Sequence, residues 1–513
     1  MRSNAAKIMV TAALSLVLAV SLVLRIKALS LYNILGGDTA VFALMAKHIY
    51  QLKEFPAYLL LNHYAGALAS YIGALLFALF GVSFVAYSLT GLLFSLCWVF
   101  FVFLIAKKIH DLYGFIASVS VVLFPASLVL FYSLFPGGVH AESLLFGAIV
   151  LFLLIQWNED KNREKMRSFF LLGFFSGFGM WLSPGIFPFF LTVLTVFFLK
   201  DKKIFLSKKI IIFSASLLLG HMPAIIHNLY YPGATLLRLG GRFLELNRAA
   251  LSSGNVAAIL AQRLLWRMST IPASLARVPF LFSQLVGLFS CAFFFIAAIF
   301  ALRLSYIKFS RQKIIDPWLI CSVSALWLIL FYAVAVGINS GRYVLSLYVV
   351  FPFIIGKILS NIAGRSRLVF GVILIAMVTF NIIGIHKAWR EREIRHYSTL
   401  SNWLKSRNFY YGFSDYSTGY SVIFQSDEQV LLSPTVFPLS YGERYPAYTA
   451  SVRNSKNPVY VMDVREYPKE TQDMERQFAR LGVNYSKEMV EEFAVYHSLS
   501  RRVYPEELNL SEH

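Results

Sequence analysis

Apolar runs of roughly 15–25 residues recur along positions 8–385, each about the length an α-helix needs to cross a hydrocarbon core of about 30 Å. Lipid offers the backbone no hydrogen-bonding partners, so runs of this length are read as helices that satisfy their own N–H and C=O groups. They fall near 8–29, 84–106, 113–132, 140–157, 168–182, 184–199, 209–227, 279–302, 317–338, 343–360 and 368–385. Composition agrees: of 513 residues, 58% are hydrophobic and 14% charged, with a mean hydropathy of +0.63. A water-soluble body of that length needs far more polar surface. The chain reads as an all-α polytopic membrane protein of about 11 transmembrane helices.

Two runs, SFFLLGFFSGFGMWL and GIFPFFLTVLTVFFL, are separated only by Ser183-Pro184 and are open to a reading as one kinked span. Charge decides between one and two. With eleven spans and a cytoplasmic N-terminus, the basic loops KKIHD, NEDKNREKMR, KDKKIFLSKK, RLSYIKFSRQKIID and KILSNIAGRSR join Arg2 and Lys7 on one side. Together they carry 20 Lys/Arg against 6 acids, as the positive-inside rule demands. Merging the two runs puts later basic loops outside. This topology also explains most of the net charge of +20, so no nucleic-acid partner is expected. The first run, Ile8 to Leu24, lacks a small-residue cleavage site and is followed by Arg25 and Lys27, so it is read as a retained span. Cys97, Cys291 and Cys321 all lie in apolar runs, and no disulfide framework is expected.

The division is then a membrane part, 1–385, and an extracytoplasmic α/β domain, 386–513, in a protein of the inner or plasma membrane. Outside lie a loop over 30–83, the turn FPGGVHAES, a loop over 228–278 and the C-terminal part with 16 basic and 17 acidic residues. In the latter, YYGFSDY, EQVLLS and NPVYVMDV read as strands, KETQDMERQFARLG as a helix and NYSKEMVEEFAVYHSLSRRV as a strand pair. TAVFALMAKHIYQL and YAGALASYIGALLFALF read as two helices along the outer surface, the first with an apolar stripe (Val41, Met45, Ile49) and a polar patch (Lys47, His48, Gln51).

Asp38 is the leading candidate for chemistry, because a carboxylate beside hydrocarbon is costly to keep. The simpler reading is a helix N-cap after Gly36-Gly37, and the two roles are compatible. His140 and Glu142 open the fourth span. Glu142 suits the positive end of a helix dipole, or else serves as a second acid facing Asp38. The 228–278 loop holds Arg238, Arg242, Arg248, Arg263, Arg267 and Arg277 with a single acid, Glu245. Arginine forks match phosphate oxygens, whether of a substrate or of lipid headgroups. Arg342, in the short turn NSGR, is harder to assign to anchoring, and Tyr343 beside it and His63 in the first outer loop complete the substrate-binding candidates. His221 and His227 are read as structural. Asp, Glu and His are present, but no compact ligand spacing indicates a metal, and no cofactor motif occurs.

GGDTAVFALMAKHIY, the helix ending LFALFG, FPGGVHAESLLFG, LLGFFSGFGMWLSP, GHMPAIIHNLYYPGATL and SGRYVLSLY, in that order, give the chain its resemblance to the GT-C superfamily of membrane glycosyltransferases. The likeness is to the dolichyl-phosphate-mannose protein mannosyltransferase-like and aminoarabinose transferase-like group, and it covers nearly the whole membrane part. It implies transfer of a sugar from a polyprenyl-phosphate donor to a lipid, glycan or protein acceptor on the non-cytoplasmic face. It also implies that Asp38 is the essential acid of the first outer loop. The chain departs from the pattern at Thr39, where relatives commonly carry Glu, and near Ala69, where another acid is common. The alternative is a catalytically inactive polyprenyl-phosphate-sugar binding protein or flippase; a ligase moving whole oligosaccharides would share the same Asp and Arg needs.

Overall fold

The computed structural model describes residues 2–31, 35–159, 165–241, 314–335, 341–390, 394–437 and 443–508, with isolated positions between 303 and 310. Helices occupy ten of the eleven expected runs, and the run 279–302 lies outside the described residues. The protein is a multi-pass membrane protein. By length and composition alone, four described helices can cross a membrane: Ile8–Leu29 within α1 (Arg2–Leu31), α4 (Phe84–Ile109), α7 (His140–Glu159) and α14 (Arg367–Arg390). Two further runs are bent pairs, α5 (Leu112–Leu123) with α6 (Ser127–Leu134) at 68°, and α10 (Lys208–Gly220) with α11 (Met222–Tyr230) at 59°. The others, α8 (Met166–Leu182), α9 (Phe187–Lys200), α12 (Pro317–Ala335) and α13 (Phe351–Ala363), are shorter apolar helices.

The doubtful pair α8 and α9 is resolved by its own side chains. Phe169, near the start of α8, lies 5.3 Å from Phe197, near the end of α9, and both rings meet Trp157 at the end of α7. One kinked span would hold those ends far apart, so the chain reverses at Ser183-Pro184 into two antiparallel helices. The Ser183 hydroxyl accepts from the Gly185 N–H as the second one starts.

A break inside a membrane helix frees carbonyls that lipid cannot satisfy. Pro125 lies in the break between α5 and α6, and side chains from elsewhere meet the freed groups. Asn381 of α14 donates to the Phe124 carbonyl at 2.7 Å, and Arg25 of α1 donates to the Val122 carbonyl at 3.1 Å. Arg25 is fully buried. Its Nε and Nη1 donate to the Ser95 and Ser21 hydroxyls, both at 2.7 Å, so among the described residues this arginine's acceptors are all neutral.

The two helices expected along the surface are α2 (Asp38–Tyr50) and α3 (Leu68–Phe80), each of 13 residues. At 1.5 Å per residue each is only about 20 Å long, too short to cross. The stripe of α2 does not face water, however, and of its polar patch only Gln51 is exposed: residues 39–49, Lys47 and His48 among them, are all buried. The C-terminal layer covers α2 and shares one apolar cluster with it, in which Phe42, Met45 and Phe77 meet Tyr420, Ile423 and Phe424.

That layer contains the expected strands: β1 (Tyr411–Asp415), β2 (Leu431–Phe437), β3 (Val459–Asp463), β4 (Ser486–Val490) and β5 (Phe493–His497). The sheet order is β2-β1-β3-β5-β4, with β1 parallel to both β2 and β3, β5 antiparallel to β3, and β4-β5 a hairpin. Helices α15 (Tyr397–Ser406), α16 (Tyr416–Gln425), α17 (Pro446–Asn454) and α18 (Pro468–Arg480) pack around it. KETQDMERQFARLG forms α18, as its pattern predicts.

Candidate active site

The GGD motif makes a turn that only glycine enters freely. Gly36 and Gly37 stand at φ +153° and +49°, and α2 begins at the next residue. The expectation that Asp38 caps this helix is not met. Gly37 occupies the N-cap position, there is no side-chain cap bond, and Asp38 is the first helical residue. Its carboxylate instead meets the C-terminal layer. Tyr416 Oη donates to Asp38 Oδ1 at 2.6 Å, and Arg444 Nη2 stands 3.6 Å from the same oxygen. Arg444 also donates from Nε to Tyr416 Oη at 3.0 Å and from Nη1 to the Leu60 carbonyl at 3.0 Å. Burial, followed by the Asp38 charge, pushes the Tyr416 phenol well above its usual range, which keeps it a proton donor. Arg444 is 8% exposed while the Asp38 side chain is 42% exposed, so the clamp is buried and the carboxylate opens outward.

Asp38 opens into a cavity of about 510 Å³. The membrane part supplies Gly36, Gly37, Asp38 and Phe42, then Leu59, Asn62, Tyr64 and Ala65, then Tyr132, Phe135, Gly137, Gly138, Val139 and His140, and finally Arg238. The C-terminal layer supplies Tyr416, Ser417, Arg444, Glu466 and Tyr467. Three of the residues singled out by sequence therefore share one cavity: Asp38, His140 and Arg238. The His140 ring packs edge-on to Tyr132 at 4.9 Å.

His63 adjoins that wall without lining it. Its Nδ1 is 3.0 Å from His227 Nε2, and burial, then the Arg238 and Arg444 charges, pull its imidazole below the usual value. His227 and His221 have structural partners, the latter with Nδ1 3.2 Å from the Gly177 carbonyl. Glu142 is not among the lining residues. It is 1% exposed, and neither carboxylate oxygen has a hydrogen-bond partner among the described residues. Arg242 lies outside the described residues. The backbone of Arg342 and Tyr343 belongs to a 3₁₀ stretch, Gly341–Val349, but their side chains lie outside the described set.

Position 39 is enclosed. Thr39 is fully buried, and a Cβ on Gly137 would come within 2.4 Å of its Oγ1. The FPGG turn is thus pressed onto the first turn of α2, with no room for a side chain at position 137. Tyr416 and Arg444, the direct partners of Asp38, went unmarked in the sequence. Each belongs to a stretch without a recognisable motif, 378 and 406 residues from Asp38, and only the folded contact selects it.

No protein-family model matches the chain, and comparison with curated protein sequences finds no match. Solved structures do match. ArnT from Cupriavidus metallidurans bound to undecaprenyl phosphate aligns over 96% of this chain and 98% of its own, at 10% identity and a TM-score of 0.56. The Archaeoglobus fulgidus oligosaccharyltransferase in complex with Zn and sulfate aligns over 94% and 72%, at 11% identity and a TM-score of 0.56. The archaeal oligosaccharyltransferase AglB from the same organism, with an inhibitory peptide and a dolichol-phosphate, aligns over 94% and 74%, at 12% identity and a TM-score of 0.53. These are GT-C superfamily structures, and the chain shares their fold almost from end to end. Among the described residues the Asp38 carboxylate is paired with a phenol and a guanidinium, neither of them a divalent-metal ligand set. The one described trio of metal-type ligands, His396, Glu491 and Glu492, is absent from the cavity wall, and His396 Nδ1 already pairs with Glu492 at 2.9 Å.

Proposed function

We propose that the chain is an integral-membrane glycosyltransferase that moves a sugar from a polyprenyl-phosphate donor to an acceptor hydroxyl on the non-cytoplasmic face of the inner or plasma membrane. The observation that carries this reading is Asp38 and Arg238 on one cavity, with Asp38 clamped by Tyr416 and Arg444. The undecaprenyl phosphate and dolichol-phosphate bound by structural neighbours support a donor of that class.

In the proposed step the acceptor oxygen attacks the anomeric carbon as the bond from that carbon to the phosphate oxygen breaks. The bonding pair leaves with the phosphate, and the acceptor proton passes to Asp38. Direct displacement inverts the anomeric centre. Among the described residues both contacts to the Asp38 carboxylate fall on Oδ1, so Oδ2 is the oxygen assigned to the proton. A general base is worth about 10²–10⁴ in rate. Charge growing on the departing phosphate calls for a cation, which is Arg238 in this reading, with Arg242 and Arg342 as further candidates from the sequence. Arg444 holds the Tyr416–Asp38 pair. Glu142, buried away from the wall, has no part in this step.

The test is Asp38→Asn in full-length protein. The amide keeps the shape and removes the base, so membrane insertion and expression should persist while transfer from a lipid-linked sugar, followed by intact-mass analysis, disappears. Near-normal product from this variant refutes the assignment. Labelling of a cysteine placed at position 38 only from the cytosol would refute the sidedness.

A further inference from the structure

The connection between α2 and α3 is strained at two positions that the transfer step leaves unused. Leu61 and His63, on either side of Asn62, both stand at left-handed φ, +57° and +62°. A non-glycine residue held there costs on the order of 1–3 kcal/mol, and such strain clusters at functional positions. Here the strained turn delivers the His63 ring to His227, with Nδ1 3.0 Å from Nε2. The His227 ring is flanked in turn by Tyr58 and Tyr231, each 4.9 Å away.

The same cluster leads to Arg238. Asn228, the neighbour of His227, donates from its amide to Thr235 Oγ1 at 2.8 Å and accepts from the Thr235 N–H at 3.1 Å. These two bonds close the turn after α11, three residues before Arg238 reaches the cavity wall. Asn62 and Tyr64, which bracket His63, line that cavity as well. Among the described residues, the charged or titratable groups that face the pair are Arg238, Arg444 from the C-terminal layer, and the phenols of Tyr58 and Tyr231. Arg444 is itself paired with Asp38. Burial, then the Arg238 and Arg444 charges, hold the His63 imidazole below its usual value of about 6.5, so at neutral pH it is uncharged.

Building on the transferase reading, we propose that His63 and His227 complete the donor site: as the lipid phosphate settles against Arg238, the pair takes up one proton from water. The bridge between Nδ1 and Nε2 needs one N–H and one lone pair. The pair therefore accepts one added proton on an outer nitrogen, His63 Nε2 or His227 Nδ1, and keeps its bridge. A second proton would set two N–H groups against each other and break it. With one proton added, the bridge becomes charge-assisted and stronger. What opposes the uptake is guanidinium charge, and a phosphate against Arg238 offsets much of it. The coupling is reciprocal: the anion raises the affinity for the proton, and the proton raises the affinity for the anion by the same factor. The site thus matches its charge to its ligand.

Binding tests this without turnover. Full-length protein in detergent is titrated with the methyl ester of undecaprenyl phosphate, a phosphodiester like the proposed donor, whose single charge is constant across the range used. Affinity should rise at least about fivefold between about pH 8 and about pH 5.5. Calorimetry at about pH 6.5, in buffers of different ionisation heat, should show net proton uptake on binding. Two variants remove the proton site by different routes. His63→Asn suits the left-handed backbone, and His227→Phe keeps a ring between Tyr58 and Tyr231. In each the rise should shrink to less than about twofold and the proton uptake should vanish, while affinity at the alkaline end stays close to wild type. A wild-type affinity equal at both pH values, or a rise that survives in either variant, overturns the proposal. Failure of the transferase reading shows separately, as wild-type protein that binds the lipid phosphodiester at neither pH.

Discussion

The two ends of α2 meet the same C-terminal layer in different ways. At the C-terminal end the contact is saturated: Lys47 Nζ lies 2.6 Å from both Asp427 and Glu428, and His48 bridges Glu54 and Glu428 at 3.2 Å on each ring nitrogen. Tyr448 donates to Glu428 at 2.8 Å and Tyr445 to Glu54 at 2.7 Å. Lys47 and His48 are 3% and 7% exposed, so every charge there has been matched before burial. At the N-terminal end Asp38 keeps its open face, held through one oxygen by Tyr416 and Arg444. Arg444 and Tyr445 are neighbours in sequence, so one short segment serves both ends: Tyr445 fastens it to the anchor and Arg444 delivers it to the carboxylate. A closed ion network gives position, and an open carboxylate gives the reactivity that the proposed transfer needs.

The contrast breaks most sharply at the open end. Asp38→Asn should lower transfer by about 10²–10⁴ with little change in melting temperature, because only the exposed end is altered. A large drop in melting temperature would mean that Asp38 is part of the anchor and erase the distinction. Next comes Glu428→Ala. It strips the partner shared by Lys47, His48 and Tyr448; because Lys47 keeps Asp427 and His48 keeps Glu54, the loss falls below the about 3–5 kcal/mol of leaving a buried charge unpaired. The expected outcome is a lower melting temperature and faster proteolysis within 394–508, with the anchor failing before the membrane helices do. Unchanged proteolysis would show that apolar packing alone holds the layer.

Arg444→Lys is a finer test. Lysine keeps the charge but loses the fork that reaches Asp38, Tyr416 and the Leu60 carbonyl at once. Transfer should fall by about tenfold, through kcat more than KM, if the clamp positions the carboxylate. An unchanged kcat would reduce Arg444 to a structural contact.

Much of this arrangement was legible before any coordinates. Helix-length apolar runs fix where the chain enters lipid, and period-two strands with a short hairpin fix the C-terminal sheet, because both signals are local. Asp38 stands out in sequence because GGD lies beside an apolar run, and Arg238 because it is a cation in an arginine-rich loop; the structure places both on one cavity. What could not be read depends on distant apposition. Lys47 and His48 form a polar patch in sequence, and a patch looks solvated until its partners Asp427, Glu428 and Tyr448 arrive from some 380–400 positions away. Tyr416 and Arg444 have no motif for the same reason.

The smallest expected effect concerns pH, and it acts on the anchor. Burial alone pulls the His48 imidazole down, but Glu428 and Glu54 on its two nitrogens more than reverse this and raise it to about 9. Glu428 is held well below the usual carboxylate range against its own burial by His48, Lys47 and Tyr448. A group whose folded pKa is raised gives its full stabilisation below the unfolded value of about 6.5 and loses it as pH climbs through about 9. The depressed Glu428 does the reverse, contributing above about 4.5 and losing it on acidification. The anchor should therefore hold from about pH 5 to 7 and weaken progressively from about pH 7 to 10. His48→Gln should flatten the alkaline limb of the melting temperature while leaving the acid limb in place. An alkaline limb that survives in that variant would place the titrating group elsewhere and leave the anchor held by Lys47 and Glu428 alone.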